Sequence, residues 1–302
     1  MEIPAEKEII SNRPGGLSST ISDYIQLSKF RLSFLVVFSA ALAFVMGSED
    51  GVDWGKLVLL VAGGFLVTGA SNAFNQIIEK DLDKLMDRTR SRPLADNRMK
   101  PVAAIIAAVL MGVTGLLILT IFMNPASGLL GFIALVSYAW MYTPLKRVTP
   151  FAVFVGAFPG AIPPLLGWVA ATGTFSAGGW MLFALQFLWQ FPHFWAIAWV
   201  MDDDYRKAGF ELLPSKGGRD KSSALQAFIY AFSLIPLCIM LALFQFTSYY
   251  AAAVTVLCSI FFAMQAYRLY KECSMETARK LMFGSFVYLP VVMIVILIDK
   301  LL

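Results

Sequence analysis

Hydrophobic positions run in long blocks along this chain, and charged residues gather in clusters between the blocks. Reading the apolar runs between charge clusters gives nine segments, at about 31–47, 54–79, 101–123, 128–142, 150–171, 178–200, 222–245, 248–267 and 280–298. Most reach the roughly 20 apolar residues that a helix needs to cross a bilayer; the fourth is short. A spanning segment without partners must satisfy its own backbone polar groups, which a helix does and an isolated strand does not. The pattern therefore predicts an all-α integral membrane protein of nine transmembrane helices, with a polar tail at 1–26 and one membrane domain at 27–302. The tail has no apolar core followed by a small-residue cleavage site, so no cleavable signal peptide is expected.

Composition agrees and charge adds direction. Of the 302 residues, 58% are hydrophobic and 15% charged, against about 45–50% and 25% in soluble domains. If the N-terminus is cytoplasmic, all Lys and Arg residues except Lys56 and Lys300 fall on the cytoplasmic side, as the positive-inside rule requires. Nine spans then put the C-terminus in the periplasm. The net charge of +4 is absorbed by this topology and by anionic headgroups, so it carries no message about nucleic acid. Cys238, Cys258 and Cys273 have no metal-binding or redox spacing and are assigned no role.

The polar residues that break the pattern are the informative ones. Asn75, Glu79, Asp83 and Asp87 recur every fourth position, which on a continuous helix makes one oxygen-rich stripe, with Asp81 nearly opposite. Lys80, Lys84, Arg88 and Arg92 form a basic ladder one step on. Lys80–Asp83 and Lys84–Asp87 pairs could make this a self-compensating helix extension. Yet the stripe starts inside an apolar span, where ionisable groups are costly and usually functional. Mg²⁺ takes oxygen ligands and binds through one or two carboxylates plus substrate phosphates; a phosphate would in turn attract the basic face. Asp202, Asp203 and Asp204 end the sixth span on the same side. Alone they read as a helix end and a polar loop. Paired with the first ladder they suggest a two-sided metal–diphosphate clamp.

Four stretches carry a resemblance. "NQIIEKDLDKLMDRTRSRP" from Asn75, "YTPLKRVTPFAVFVGAFPGAIPPLLGWVAATG" from Tyr142, "QFPHFWAIAW…DDYRKAGFELLP" from Gln190 and "LSKFRLSFLVVF" from Leu27 are similar to the UbiA-type intramembrane prenyltransferases, and within them to the branch that farnesylates heme. Together they cover most of residues 27–220. The resemblance implies a bundle of nine helices with a polar mouth facing the cytoplasm of a bacterial inner membrane. It also implies transfer of a farnesyl group from farnesyl diphosphate to heme b, with possible association with a heme A synthase or oxidase assembly proteins. It places Asn75, Asp83, Asp87, Asp203 and Asp204 in the catalytic motifs. Asn75, Glu79, Asp83 and Asp203 would hold Mg²⁺, Glu79 standing where many relatives carry Asp. Arg88, Arg92, Lys146, Arg147 and Lys207 are the expected diphosphate donors. His193, the only histidine, is a candidate axial ligand for heme, weighed against an ordinary helix–helix hydrogen bond. Rival readings are a prenyltransferase for an aromatic quinone precursor and a polytopic transporter; the chain shows no convincing internal repeat of the kind many transporters have.

Overall fold

The computed structural model describes residues 17–302, so of the predicted tail 1–26 only its last part is described, and that part is helical: α1, Leu17–Leu27. A long helix then falls on each predicted span: α2 (Phe30–Met46), α3 (Trp54–Asp83), α4 (Pro101–Ile118), α5 (Pro125–Val136), α7 (Ala152–Thr172), α8 (Ala177–Lys207), α9 (Lys221–Leu243), α10 (Tyr249–Glu272) and α11 (Met275–Leu301). α4 continues as a π-helical turn over Leu119–Met123, and α5 through another at Ser137–Tyr142 into the short α6, Thr143–Leu145. The fourth span is thereby longer than its apolar run suggested. No strand occurs among the described residues.

Seven of these helices are long and apolar enough to cross a membrane, and α1 with α2, bent by 47°, counts as an eighth. α8 is the exception because Gln186, Gln190, His193 and several tryptophans dilute its apolar run. Starts are set by short polar caps: Asp53 accepts from the Lys56 N–H, Asn124 from Ser127, Asp220 from Ser223, Ser248 from Ala251 and Ser274 from Thr277. Pro101 and Pro125 stand in first turns, where a missing N–H costs nothing.

The prolines of α7 do not break it. Pro164 cannot donate to Gly160, and the freed Gly160 carbonyl accepts instead from Gln186 Nε2 at 2.6 Å. Gln190 Nε2 also reaches α7, at the Ala157 carbonyl (3.0 Å). α7 packs on α2 and α8, and α11 closes the ring by packing on both α8 and α2. Close approach is built in at Gly167, where a Cβ would meet the Ala40 carbonyl oxygen at 1.9 Å, and at Gly156, where it would meet the Tyr142 ring at 2.6 Å. The second contact seats Tyr142 at the end of the bundle where the polar residues collect. On the outside, Val102, Ile106, Leu110, Leu257 and Phe261 are exposed, as lipid-facing positions should be.

Candidate active site

The site forms where α3 runs out of apolar sequence. Asn75, Glu79 and Asp83 lie on the inner face of the last two turns of α3, each almost fully buried. Asn75 Nδ2 donates to Glu79 Oε2 (2.9 Å) and to Thr143 Oγ1 (3.2 Å). Each acceptor then has its own cation. Lys29 Nζ donates to Asn75 Oδ1 at 3.0 Å, Lys146 Nζ lies 2.5 Å from Glu79 Oε1, and Arg92 Nη1 reaches both oxygens of Asp83 at 2.7 Å. Glu79 Oε1 is buried and, although ion-paired, accepts no well-angled hydrogen bond. With Tyr138, Tyr142, Tyr205 and Phe210 these groups line a cavity of about 120 Å³. Lys146 Nζ stands over the rings of Tyr142 (5.2 Å) and Phe210 (5.1 Å), so the wall already holds a cation against aromatic faces.

The predicted four-residue stripe ends one residue early. α3 stops at Asp83 and the chain turns, so Asp87, Arg88 and Arg92 stand in a turn-rich segment and not on a helical ladder. Thr89 Oγ1 caps the Asp83 carbonyl at 2.9 Å. The backbone N–H groups of Asp87 and Arg88 donate to the Asp204 carboxylate at 2.8 and 3.4 Å. A continuous helix would have stacked like charges four apart; the turn removes them and lets Asp204 of α8 take the freed donors. The predicted intrahelical pairs do not form. Lys84 binds Asp81 (2.9 Å), while Asp87 binds Lys207 (2.5 Å).

Consecutive residues on a helix point about 100° apart, and the three aspartates of α8 separate accordingly. Asp204 faces the first motif, with Lys207 Nζ at 3.3 Å. Asp202 pairs with Arg206 (2.8 Å), and Asp203, largely exposed, pairs with Arg219 (3.0 Å). Arg88 lies over the Tyr205 ring at 5.5 Å and lines the cavity with Arg92 and Lys146; Arg147 is exposed. His193 does not line the cavity. It stacks on Trp189 at 4.4 Å between centroids, and its Nδ1 lies 2.7 Å from Ser285 Oγ on α11. Ser285 donates its own proton to the Met282 carbonyl (2.6 Å), so it accepts from His193 Nδ1–H and leaves Nε2 as the lone-pair nitrogen. Past the apolar run of α8, slight burial pushes the Asp204 carboxyl upward. The Asp87 and Arg88 N–H groups and the Lys207 ammonium outweigh that and hold it below its ordinary value. Hydrogen bonds to Asp87 and Asp204 raise Lys207.

Asn75, Glu79 and Asp83 offer only hard oxygen donors, with a buried carboxylate oxygen lacking a hydrogen bond, and fit Mg²⁺ in kind. Among the described residues no three His, Cys, Asp or Glu side chains converge on one point; the inner face has two carboxylates, Glu79 and Asp83, beside the Asn75 amide, and Lys29, Lys146 and Arg92 contact the three. Lys29, Thr143 and the three tyrosines were not singled out in the sequence. An aromatic at the end of an apolar run has the same pattern as one that only packs, and Lys29 is in sequence one more charge at the end of a span. Asn72 and Gln76, two amides inside an apolar span, were the available signal for the α1–α2 contact they make.

Comparison with known proteins bears on this geometry. Residues 36–287 match the UbiA prenyltransferase family. A protoheme IX farnesyltransferase from Cytophaga hutchinsonii is 46% identical over 94% of this chain and 99% of its own. One from Flavobacterium johnsoniae is 42% identical over 95% and 97%. A solved digeranylgeranylglyceryl phosphate synthase superposes with TM-score 0.79 at 19% identity, over 93% of this chain and 99% of its own. A UbiA homolog from Archaeoglobus fulgidus bound to GPP and Mg²⁺ gives 0.71 at 14%, over 91% and 99%. With the family pattern running from α2 into α11 and relatives this similar along almost the whole length, the chain belongs to the UbiA prenyltransferase family.

Proposed function

We propose that this multi-pass membrane enzyme transfers the farnesyl group of farnesyl diphosphate to a vinyl group of heme b, giving heme O and pyrophosphate. The observation that carries the reading is the 46% identity to a protoheme IX farnesyltransferase over 94% of the chain. The buried oxygen face and its ring of cations support it chemically.

Asn75, Glu79 and Asp83 would hold Mg²⁺ from the α3 side, with Asp87 and Asp204 completing the motifs from the mouth; Asp203, paired with Arg219, faces away from them. Bound there, Mg²⁺ supplies charge to the leaving diphosphate oxygens. Arg88, Arg92, Lys146, Lys207 and Arg147 are the donors for the remaining phosphate oxygens; the first three line the cavity, and Lys207 is paired with Asp87 and Asp204. Donors placed where charge develops lower the barrier most when water is excluded. The allylic C–O bond breaks as the heme vinyl carbon bonds to the farnesyl C1. Water then adds to the resulting carbocation beside the macrocycle and loses a proton, giving the hydroxyethylfarnesyl group. Tyr138, Tyr142 and Phe210 shield the allylic centre from early capture by water and offer it π faces. His193, with Nδ1–H directed at Ser285, is the candidate that would offer Nε2 to the heme iron.

The same reading has nine spans, a cytoplasmic N-terminus and site, and a periplasmic C-terminus, in a bacterial inner membrane. The distribution of Lys and Arg supports it. The lipophilic product would pass to a heme A synthase or oxidase assembly proteins. The test is mass spectrometry of heme extracted from cells expressing the protein, with heme b or 4-hydroxybenzoate fed to the purified enzyme with farnesyl diphosphate. A farnesylated heme supports the reading; prenylation of the benzoate alone replaces it with the quinone-precursor alternative.

A further inference from the structure

Two cations in the cavity, Lys146 and Lys29, come from outside the acidic motifs and the basic residues beside them, and Lys29 comes from the bend before α2. α1 ends at Leu27 and α2 begins at Phe30. Lys29 stands at the bend with φ 48° and ψ 56°, a left-handed conformation that a non-glycine residue keeps only when its surroundings hold it. Here α3 does the holding. Gln76 Nε2 donates to the carbonyls of Gln26 (3.2 Å) and Leu27 (2.8 Å), and Asn72 Nδ2 to Ser28 O (3.3 Å) and Ser33 Oγ (3.1 Å). The Gln26 and Leu27 carbonyls are among those that the end of α1 leaves without a helical partner. Between those two amides on α3 is Asn75, whose Oδ1 takes the Lys29 ammonium.

The other end of the elbow is tied as well. Arg98 binds Asp23, Gln26 Oε1 (3.2 Å) and the Ser91 carbonyl (2.7 Å), so α1 is tied to the segment following Asp83, which supplies Arg88, Thr89 and Arg92 to the cavity. The outer face of α1 shows Ile21, Tyr24 and Ile25, the pattern of a helix lying in a membrane interface. A cavity of about 120 Å³ is well below the ~300–1,000 Å³ of ordinary ligand pockets, so loading requires groups to move. Asn75 Oδ1 cannot serve an ammonium and a divalent cation together, because the two repel at contact distance. Glu79 and Asp83 line the same cavity but already pair with Lys146 and Arg92, so a diphosphate entering there is the unpaired anion open to the displaced ammonium.

We propose that Lys29 is a further diphosphate-binding residue, held in reserve on the Asn75 amide oxygen until a divalent cation takes that oxygen. The proposal rests on the prenyl diphosphate reading, and its test separates the two. Binding of Mg²⁺ alone, and of inorganic pyrophosphate in saturating Mg²⁺, is measured calorimetrically on the full chain in nanodiscs. The proteins compared are wild type, Lys29→Met and Lys29→Arg. Removing a competing charge tightens Mg²⁺ binding several-fold in Lys29→Met. Removing a charged donor weakens pyrophosphate by about tenfold or more. Lys29→Arg recovers pyrophosphate binding. If Lys29→Met does not fold, Lys29→Gln, which keeps a donor for Asn75 without the charge, shows the same opposite-sign split. Both affinities unchanged, or both falling together, overturns the proposal. Wild type that binds no pyrophosphate overturns the diphosphate reading itself.

Discussion

Asp83 is the residue on which the site turns. It closes α3, lies almost fully buried, and takes Arg92 on both oxygens. Asp83→Asn keeps the shape and one acceptor but removes the charge. Turnover at saturating Mg²⁺ is expected to fall by at least about 10²-fold, the scale for losing one preorganised electrostatic group. The protein should still elute as a folded particle, and activity close to wild type would reject the clamp. His193 is a different kind of test. Its tautomer is set by Ser285, and it lies apart from the cavity. His193→Ala should weaken heme binding by about tenfold and shift the Soret band, since an axial ligand sets the iron's field. An unchanged spectrum would return His193 to a packing role. The oxygen-rich side chains of α3 could be picked out from the chain alone, since carboxylates inside an apolar run have few structural uses. Lys29 could not be picked out, because its contact with Asn75 joins positions 46 apart.

At the scale of elements, two contacts decide the geometry. Asp204 joins α8 to the turn after α3 by accepting two backbone N–H groups. Its carboxyl is held below the usual value, so the stabilisation is present above the unfolded carboxyl pKa and is lost as pH falls through the lowered one. Lys207 is raised, so its share is present below the unfolded lysine pKa and is lost as pH rises through the raised one. Resistance of the 84–100 segment to trypsin should therefore be flat from about pH 5 to 9. Asp204→Asn should speed cutting there across that range. The second contact is between α2 and α7. A Cβ at Gly167 collides with backbone at Ala40, and backbone cannot rotate aside as a side chain can. Gly167→Ala is expected to cost about 1–3 kcal/mol, seen as a lower melting temperature of the purified protein. Helix positions followed from apolar run length. The end of α3 at Asp83 did not, because it depends on Asp204 arriving from more than a hundred residues away.

For the whole molecule the expectation to check is topology. Alkaline phosphatase fused after Leu302 should be active and a green fluorescent protein fusion there dark, because only the periplasm matures the first and only the cytoplasm the second. The reverse result would remove the nine-span reading and its cytoplasmic site. The chain by itself determined that this is a multi-helix membrane protein, roughly where each helix lies, and that oxygen-rich and basic side chains gather at one end. Those properties follow from one-dimensional facts: apolar run length against bilayer thickness, and the cost of charge in hydrocarbon. Only the tertiary structure decided which of those side chains meet. Three successive aspartates on α8 diverge by helical geometry, one reaching the site and two turning to Arg206 and Arg219. The resident cation on Asn75 comes from the bend before α2. Such pairings depend on helix rotation and packing distance, which hydrophobic periodicity does not encode.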